Sequence, residues 1–187
     1  MPFTFNPLNQ EAARQVLAWT YPPPYNVYNE DPERLEQVVV EVLRPDYHYY
    51  SIAEDEDPLV AYCCYGLDAR VAGGDYALDA LDIGLMVRPD LNGQGRGTLF
   101  AAAVVDFARR TFPDRRWRVT IASFNLRAQC VWREVGFRKS ETFLRRGDGL
   151  SFSVWVRDDN GDDRPPARVR SWKGKAGRRI TSPTNRI

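Results

Sequence analysis

The chain has 187 residues, of which 43% are apolar and 27% are charged, the composition of an ordinary globular protein. This length suffices for one compact domain with its own core. No apolar run reaches the roughly 20 residues of a membrane-spanning helix, and no basic segment followed by an apolar one marks the N-terminus, so neither a membrane partner nor a secretory signal is predicted.

The first half of the chain predicts a short strand, two helices and a strand hairpin. Asn9 is a typical N-cap, and Asp31 followed by proline is a second one. The three prolines at 22–24 end the first helix, because proline cannot continue it. The predicted elements are a strand at 3–5, helices at 9–19 and 31–43, and strands at 47–53 and 59–67.

The second half alternates strands with helices. Gly136 closes one helix and Pro113 ends another. The predicted elements are strands at 77–87, 117–124, 137–144 and 150–156 and helices at 98–112 and 125–135. This order predicts a single mixed α/β domain over residues 1–157, antiparallel at first and with strand–helix–strand crossovers in its middle.

The net charge of +1 conceals an uneven distribution. Residues 164–187 carry eight Lys or Arg and no Asp or Glu, whereas residues 1–163 have a net charge of −7. We expect residues 158–187 to be a basic, disordered tail, since proline, glycine and cations cannot build a core. The tail suggests attraction to nucleic acid or ribosomes, but such extensions are more often simply solvated. The acidic remainder suits a cationic partner such as an amine.

The three cysteines, Cys63, Cys64 and Cys130, are odd in number and have no metal-ligand spacing. We therefore expect reduced thiols in a cytoplasmic protein, and no bound metal.

A glycine-rich turn between a strand and a helix is the most informative local feature. The apolar run from Leu81 to Val87 enters a turn with glycines at 93, 95 and 97, and a helix-forming run follows at once. Glycines let successive backbone N–H groups point at one spot, and the helix N-terminus adds the positive end of its dipole. This arrangement suits a phosphate group.

A second pattern follows about thirty residues later, and together the two resemble the GNAT acetyltransferase superfamily. The first motif of that family appears as Asn92-Gly93-Gln94-Gly95-Arg96-Gly97, and the second as Asn125, Ala128, Trp132 and Gly136-Phe137. The resemblance is strong over about 47–157. It implies a central, mixed but mostly antiparallel twisted sheet of six to seven strands, flanked by about four helices.

The resemblance also implies acetyl-coenzyme A as cosubstrate. Its diphosphate would lie on the turn at 92–98, with Arg88 and Arg96 adding positive charge. Its pantetheine would lie where the strand ending at Val87 splays from strand 119–123, with the thioester carbonyl held by a backbone N–H near Met86 or Val87. The cofactor-binding residues so implied are Leu85, Met86, Val87, Asn92, Gly93, Gln94, Gly95, Arg96, Gly97, Thr98, Asn125 and Trp132. The alternative is a plain tight turn before a helix, with Asn125 as an N-cap only.

The sequence departs from the family pattern three times, once in the phosphate motif and twice where acid–base residues are expected. Asn92 replaces the usual Arg or Gln, Trp132 stands in place of the tyrosine that often protonates the leaving sulfur, and Thr120 in place of a glutamate found in many relatives. Indole N–H only donates a hydrogen bond, so Trp132 is expected to wall the acyl or pantetheine end instead.

Asp82 is the remaining candidate for the catalytic base, because it lies in an otherwise apolar strand next to the glycine turn. The alternative is that Asp82 is hydrogen-bonded to a neighbouring strand or turn and organises the sheet; water could relay the proton instead. For the acceptor side, Tyr21, Tyr25 and Tyr28 are candidate substrate-binding residues, with plain aromatic packing as the alternative.

The leading hypothesis is an N-acetyltransferase that transfers an acetyl group to a primary amine of a small molecule or protein, by direct attack in a ternary complex. One alternative is a non-catalytic acyl-coenzyme A binding or sensing module. Another is a protein recruited to nucleic acid or ribosomes by its tail. Since related enzymes are often dimers, a homodimer is also an expectation.

Overall fold

The computed structural model describes residues 3–113 and 116–158, and a seven-stranded sheet runs through its centre. The strands are β1 (Phe3–Pro7), β2 (Tyr50–Glu54), β3 (Asp57–Tyr65), β4 (Leu81–Val87), β5 (Arg116–Ala122), β6 (Arg138–Leu144) and β7 (Ser151–Asp158). The α-helices of the described residues are α1 (Gln10–Leu17), α2 (Leu35–Val42), α3 (Gly97–Thr111) and α4 (Leu126–Glu134). The mixed α/β class predicted from the sequence is confirmed.

Three helix starts follow the predicted capping residues. The Asn9 carboxamide accepts from the Ala12 N–H at 2.9 Å and begins α1. Asp31 caps a short 3-10 turn that runs directly into α2. Asn125 accepts from the Ala128 N–H at 3.1 Å and begins α4. Each cap satisfies an amide that the first helical turn leaves unpaired.

The strands lie in the order β1-β2-β3-β4-β5-β7-β6, and all neighbours are antiparallel except β4 and β5. The last strand, β7, therefore lies inside the sheet, whereas β6 is the edge. The burial pattern agrees with this placement, because Phe152 to Trp155 of β7 are buried on both faces while β6 is mostly exposed.

Helices cover both faces of the sheet. Tyr62 packs against a cluster that contains Val16 of α1 and Val39 of α2, whereas its neighbour Cys63 belongs to a cluster with Phe100 of α3. Since adjacent strand residues point to opposite faces, α1 and α2 lie on one face and α3 on the other.

Some element bounds differ from the predictions. A 3-10 turn at Pro45–Tyr47 and a left-handed His48 delay β2 to Tyr50. The run predicted as a strand from residue 77 becomes a strand only at Leu81. The predicted tail lies outside the described residues apart from Asp158, the last residue of β7. Among the described residues, no helix is both long and apolar enough to cross a bilayer.

Candidate active site

The two central strands separate after only two paired positions. Parallel β4 and β5 are in register at Leu81 with Trp117 and at Asp82 with Arg118, and no further. Gly84 to Val87 are consequently partly exposed although β4 is the middle strand of the sheet. We call the gap between the two strands beyond Asp82 the cleft. Its existence confirms the splay that the family resemblance implied.

Alternate peptide groups of β4 face the cleft. The Arg88 N–H donates to the Val60 carbonyl, and the Asp82 carbonyl accepts from the Gly66 N–H, so even-numbered positions bond to β3. Odd-numbered positions therefore turn their N–H and C=O groups away from β3, toward the cleft. This group includes Leu85 and Val87. The Met86 N–H faces β3, which corrects the expectation that it could hold a thioester carbonyl.

The glycine turn, residues 92–98, leads from β4 into α3. Gly93 and Gly95 have φ of +78° and +75°, and Arg96 is right-handed, so the turn alternates in handedness as in anion-binding nests. Within residues 3–113 and 116–158, the backbone N–H groups of 93–98 donate to no protein acceptor, whereas the Asn92 N–H donates to Pro89. A Cβ on Gly95 would meet nothing within 4 Å. The turn is thus open and its amides are available, which fits a diphosphate.

Side chains of the glycine turn mostly brace the fold. The Asn92 amide donates to the Val87 carbonyl at 3.3 Å, and the Gln94 amide to the Asp90 carbonyl at 2.8 Å. The Thr98 hydroxyl donates to Glu134 of α4 at 2.6 Å. Any contribution of these three residues to phosphate binding would come from their backbone, and that of Asn92 is limited by its internal bond.

The arginines expected to face phosphate are instead paired with carboxylates. Arg88 donates to Asp57 and Asp90, and these hydrogen bonds raise its pKa above the ordinary value. Arg96 pairs with Glu54 at the end of β2. Both guanidinium charges are therefore compensated within the protein, which corrects the expectation from the sequence.

Asp82 is locked into a buried ion pair. Its two oxygens accept from Arg118 Nε and Nη2 at 2.5 and 2.7 Å, and one also accepts from Arg70 Nε at 2.7 Å. The side chains of Asp82 and Arg118 are each 1% exposed. Both carboxylate oxygens are thus occupied by guanidinium donors in a buried position, so this geometry favours the sheet-organising alternative over a catalytic base.

Thr120 and Trp132, which replace the usual acid–base residues of the family, also make structural contacts. The Thr120 hydroxyl lies 3.2 Å from the Tyr76 hydroxyl. Trp132 is 6% exposed and packs edge-on against Phe137, with ring centres 4.9 Å apart. Trp132 thus belongs to the core, and only the small part of its ring that remains accessible could line the acyl or pantetheine end of the cofactor site.

The three candidate tyrosines lie along the cleft, Tyr21 at its β4 side and Tyr25 and Tyr28 at its α4 side. The Tyr21 hydroxyl donates to the Val87 carbonyl of β4 at 3.0 Å, while the Tyr28 hydroxyl accepts from the Asn125 amide at 3.2 Å. Tyr25 lies against Phe124, with ring centres 5.8 Å apart. The loop from Tyr21 to Tyr28 therefore spans from the end of β4 to the start of α4. Burial raises the pKa of Tyr21 and of Tyr28, so both stay protonated at neutral pH.

One residue beside the glycine turn was missed by the sequence reasoning. Arg127, in the first turn of α4, places Nη1 3.7 Å from the position that a Cβ on Gly93 would take. Nothing local marks Arg127, because its contact with the turn depends on how α3 and α4 pack.

Other reactive groups lie elsewhere. Cys63 and Cys64 are buried and Cys130 is exposed, and all three are free thiols. Within the described part of the chain, no group of three or more His, Cys, Asp or Glu side chains could hold a metal ion.

Comparisons with known proteins agree with this geometry. The model of the Acetyltransferase (GNAT) family matches residues 11–137. With that match covering most of the chain, the protein belongs to this family. It is a GNAT-type acetyltransferase, which agrees with the strand opening and the glycine turn described above. No curated protein sequence matches the chain.

Solved structures with the same fold include three acetyltransferases. The aminoglycoside N(6′)acetyltransferase of Legionella pneumophila is 18% identical with a TM-score of 0.64, covering 86% of this chain and 94% of that one. The phosphinothricin acetyltransferase of Sinorhizobium meliloti, in complex with acetyl-coenzyme A, is 14% identical with a TM-score of 0.61, covering 90% and 95%. The spermidine N-acetyltransferase of Vibrio cholerae, with coenzyme A and spermine, is 12% identical with a TM-score of 0.59, covering 84% and 96%. At these identities the likeness establishes the fold alone.

Proposed function

We propose that this protein uses acetyl-coenzyme A to acetylate a primary amine of a small molecule or protein, by direct attack in a ternary complex. The observation that supports this most is the opening of β4 from β5 next to a glycine turn with available amides. One edge of the cleft offers peptide groups for an extended ligand, and the turn offers donors for phosphate.

Bound acetyl-coenzyme A would supply an activated acyl group. The amides of residues 93–98 would hold its diphosphate. The cleft-facing peptide groups of Leu85 and the Val87 N–H would orient its arm and polarise the carbonyl, whereas the Val87 carbonyl already accepts from Tyr21 and Asn92. The amine nitrogen then forms the new C–N bond as the C–S bond breaks, the nitrogen loses a proton and the thiolate gains one.

Direct attack is supported by the state of the two buried cysteines. Burial raises the pKa of Cys64 to about 12 and raises that of Cys63 as well, so both remain thiols at neutral pH. A thiol is a weak nucleophile compared with a thiolate. A covalent acyl intermediate on either residue is therefore disfavoured.

The acceptor is proposed to be cationic. Residues 1–163 carry a net charge of −7, which attracts a protonated amine before it loses its proton in the cleft. The names of two structural neighbours, an aminoglycoside and a spermidine acetyltransferase, agree with this class. A homodimer and a cytoplasmic location stay predictions.

A second candidate function is an acyl-coenzyme A sensor without turnover. The observation that favours it is the engagement of Asp82 by two arginines, together with a core tryptophan at position 132. In the transferase reaction, the proton of the amine would then pass through water or through another group of the cleft.

Turnover with a panel of amines separates the two candidates. Release of free thiol from acetyl-coenzyme A would be followed with polyamines, aminoglycosides, phosphinothricin and peptides with free N-termini. Intersecting lines in initial-velocity plots against both substrates are expected for a ternary complex, and parallel lines would contradict it. Tight binding of coenzyme A with no turnover of any acceptor would favour the sensor.

Two matched glycine variants test the glycine turn itself. Gly95 and Gly149 both have positive φ, +75° and +71°, and a Cβ on either meets nothing within 4 Å. Gly95→Val and Gly149→Val thus carry the same backbone strain, but only the first places a side chain on the proposed phosphate site. Calorimetry should show at least tenfold weaker binding of coenzyme A for Gly95→Val only. Equal affinity of both variants would argue against the site.

A further inference from the structure

We infer that Arg127 binds a phosphate group of coenzyme A and that Tyr25 positions it for this contact. The inference rests on the proposed function, because it concerns the same cofactor. It assigns the phosphate-binding charge to α4 and connects it to the loop from Tyr21 to Tyr28 through Tyr25.

The location of the guanidinium is the first argument. Arg127 Nη1 lies 3.7 Å from the position of a Cβ on Gly93, so it borders the same turn whose amides have no protein acceptor. A cation and several N–H donors converge on one small region. This combination is the ordinary chemistry of a phosphate site.

The way the side chain is held is the second argument. Arg127 Nε donates to the Tyr25 hydroxyl at 2.9 Å, and the guanidinium carbon lies 4.2 Å from the centre of the Tyr25 ring. Tyr25 is in turn packed against Phe124. The hydroxyl and the ring together fix the plane of the guanidinium, while its terminal Nη donors stay available for a ligand.

The charge balance is the third argument. Arg88 and Arg96, the other arginines near the turn, are paired with carboxylates. In the described ranges, 3–113 and 116–158, Arg127 forms no ion pair. Because a tyrosine and not a carboxylate orients Arg127, its guanidinium is left to pair with an anion.

Binding of coenzyme A, measured by calorimetry at fixed ionic strength, tests the assignment. Arg127→Gln should bind about 10- to 100-fold more weakly than wild type, the loss typical of a charge-assisted hydrogen bond. Arg127→Lys should lie between the two, because it keeps the charge without the planar fork. Arg133→Gln is the matched control: Arg133 is exposed on the same helix and contacts Cys130, so its affinity should stay within twofold.

Three ligands identify the phosphate. If Arg127 binds the diphosphate, Arg127→Gln loses the same factor with coenzyme A and with 3′-dephospho-coenzyme A; if it binds the 3′-phosphate, only the first ligand shows the loss. Pantetheine, which has no phosphate, should bind wild type and variant equally. Coenzyme A affinity of Arg127→Gln within twofold of wild type would overturn the inference. Failure of wild type itself to bind coenzyme A would instead overturn the proposed function.

Salt dependence separates the two residues. Arg127→Gln should flatten the dependence of log Kd on log salt, since one ionic contact is gone. Tyr25→Phe should weaken binding about two- to fivefold through the lost hydrogen bond but keep the wild-type slope, because the charge remains. Wild-type affinity in Tyr25→Phe would refute the positioning role.

Discussion

Replacing Asp82 by asparagine distinguishes a structural carboxylate from a catalytic one. The change keeps the shape of the side chain and removes its charge. Arg118, 1% exposed, would then keep its positive charge with only the Leu78 carbonyl, at 2.9 Å, and the face of Tyr76 as compensation. The asparagine NH₂ group would also face guanidinium donors instead of accepting from them.

The expected cost follows from the burial of the pair. Breaking a buried ion pair by removing one partner typically costs about 3–5 kcal/mol, because the remaining charge stays desolvated. Arg70 adds little to this figure, since its side chain is 33% exposed and solvent screens that contact. For a domain of this size the loss corresponds to a fall in Tm of roughly 6–20 °C.

Urea unfolding monitored by tryptophan fluorescence would measure this loss, with acetyl transfer assayed well below the lowered Tm. We expect Asp82→Asn to be strongly destabilised. The double variant Asp82→Asn/Arg118→Gln should recover part of the loss, since the unpaired, buried charge of Arg118 is then removed. The reasoning is refuted if Asp82→Asn unfolds within about 0.5 kcal/mol of wild type. A loss of about 10²–10⁴ in kcat with unchanged stability would mark Asp82 as the general base after all.

Three further results are expected. Gly97→Ala would place Cβ 2.6 Å from a methyl of Val131 and should cost about 1–3 kcal/mol of unfolding free energy as α3 and α4 move apart. Adding Val131→Ala should restore most of this free energy. A Gly97→Ala protein as stable as wild type would contradict the close packing of the two helices. Alkylation at pH 8 followed by mass spectrometry should label Cys130 rapidly and the two buried cysteines only on unfolding; early labelling of either buried thiol would contradict this. The Arg145 hydrogen bond holds the pKa of Asp148 at about 2, below its ordinary 3.8. The stabilisation from this ion pair is therefore present above about pH 4 and is lost as the pH falls toward 2. In urea titrations the stability difference between wild type and Asp148→Asn should shrink from pH 5 to pH 2, and a constant difference would exclude the ion pair as its cause.

The sequence determined the features that depend on neighbouring residues. The caps at Asn9 and Asn125 and the glycine turn could be located because each needs only a few consecutive residue types in the right order. The same local patterns supported the family resemblance, and through it the splayed strands and the fold class. The predicted start of β2 was wrong, because a turn at Pro45–Tyr47 displaced it.

Only the tertiary structure decided which side chains meet. Asp82 lies 36 positions from Arg118, Arg96 lies 42 from Glu54, and Tyr25 lies 102 from Arg127. No periodicity or cap encodes such pairs, because they arise when separate elements are packed against one sheet. The same holds for β7, whose place between β5 and β6 depends on which strand can be buried on both faces. Caps, turns and the order of the elements could therefore be predicted from the sequence. The long-range partners that compensate the charge and determine the role of each site residue could not.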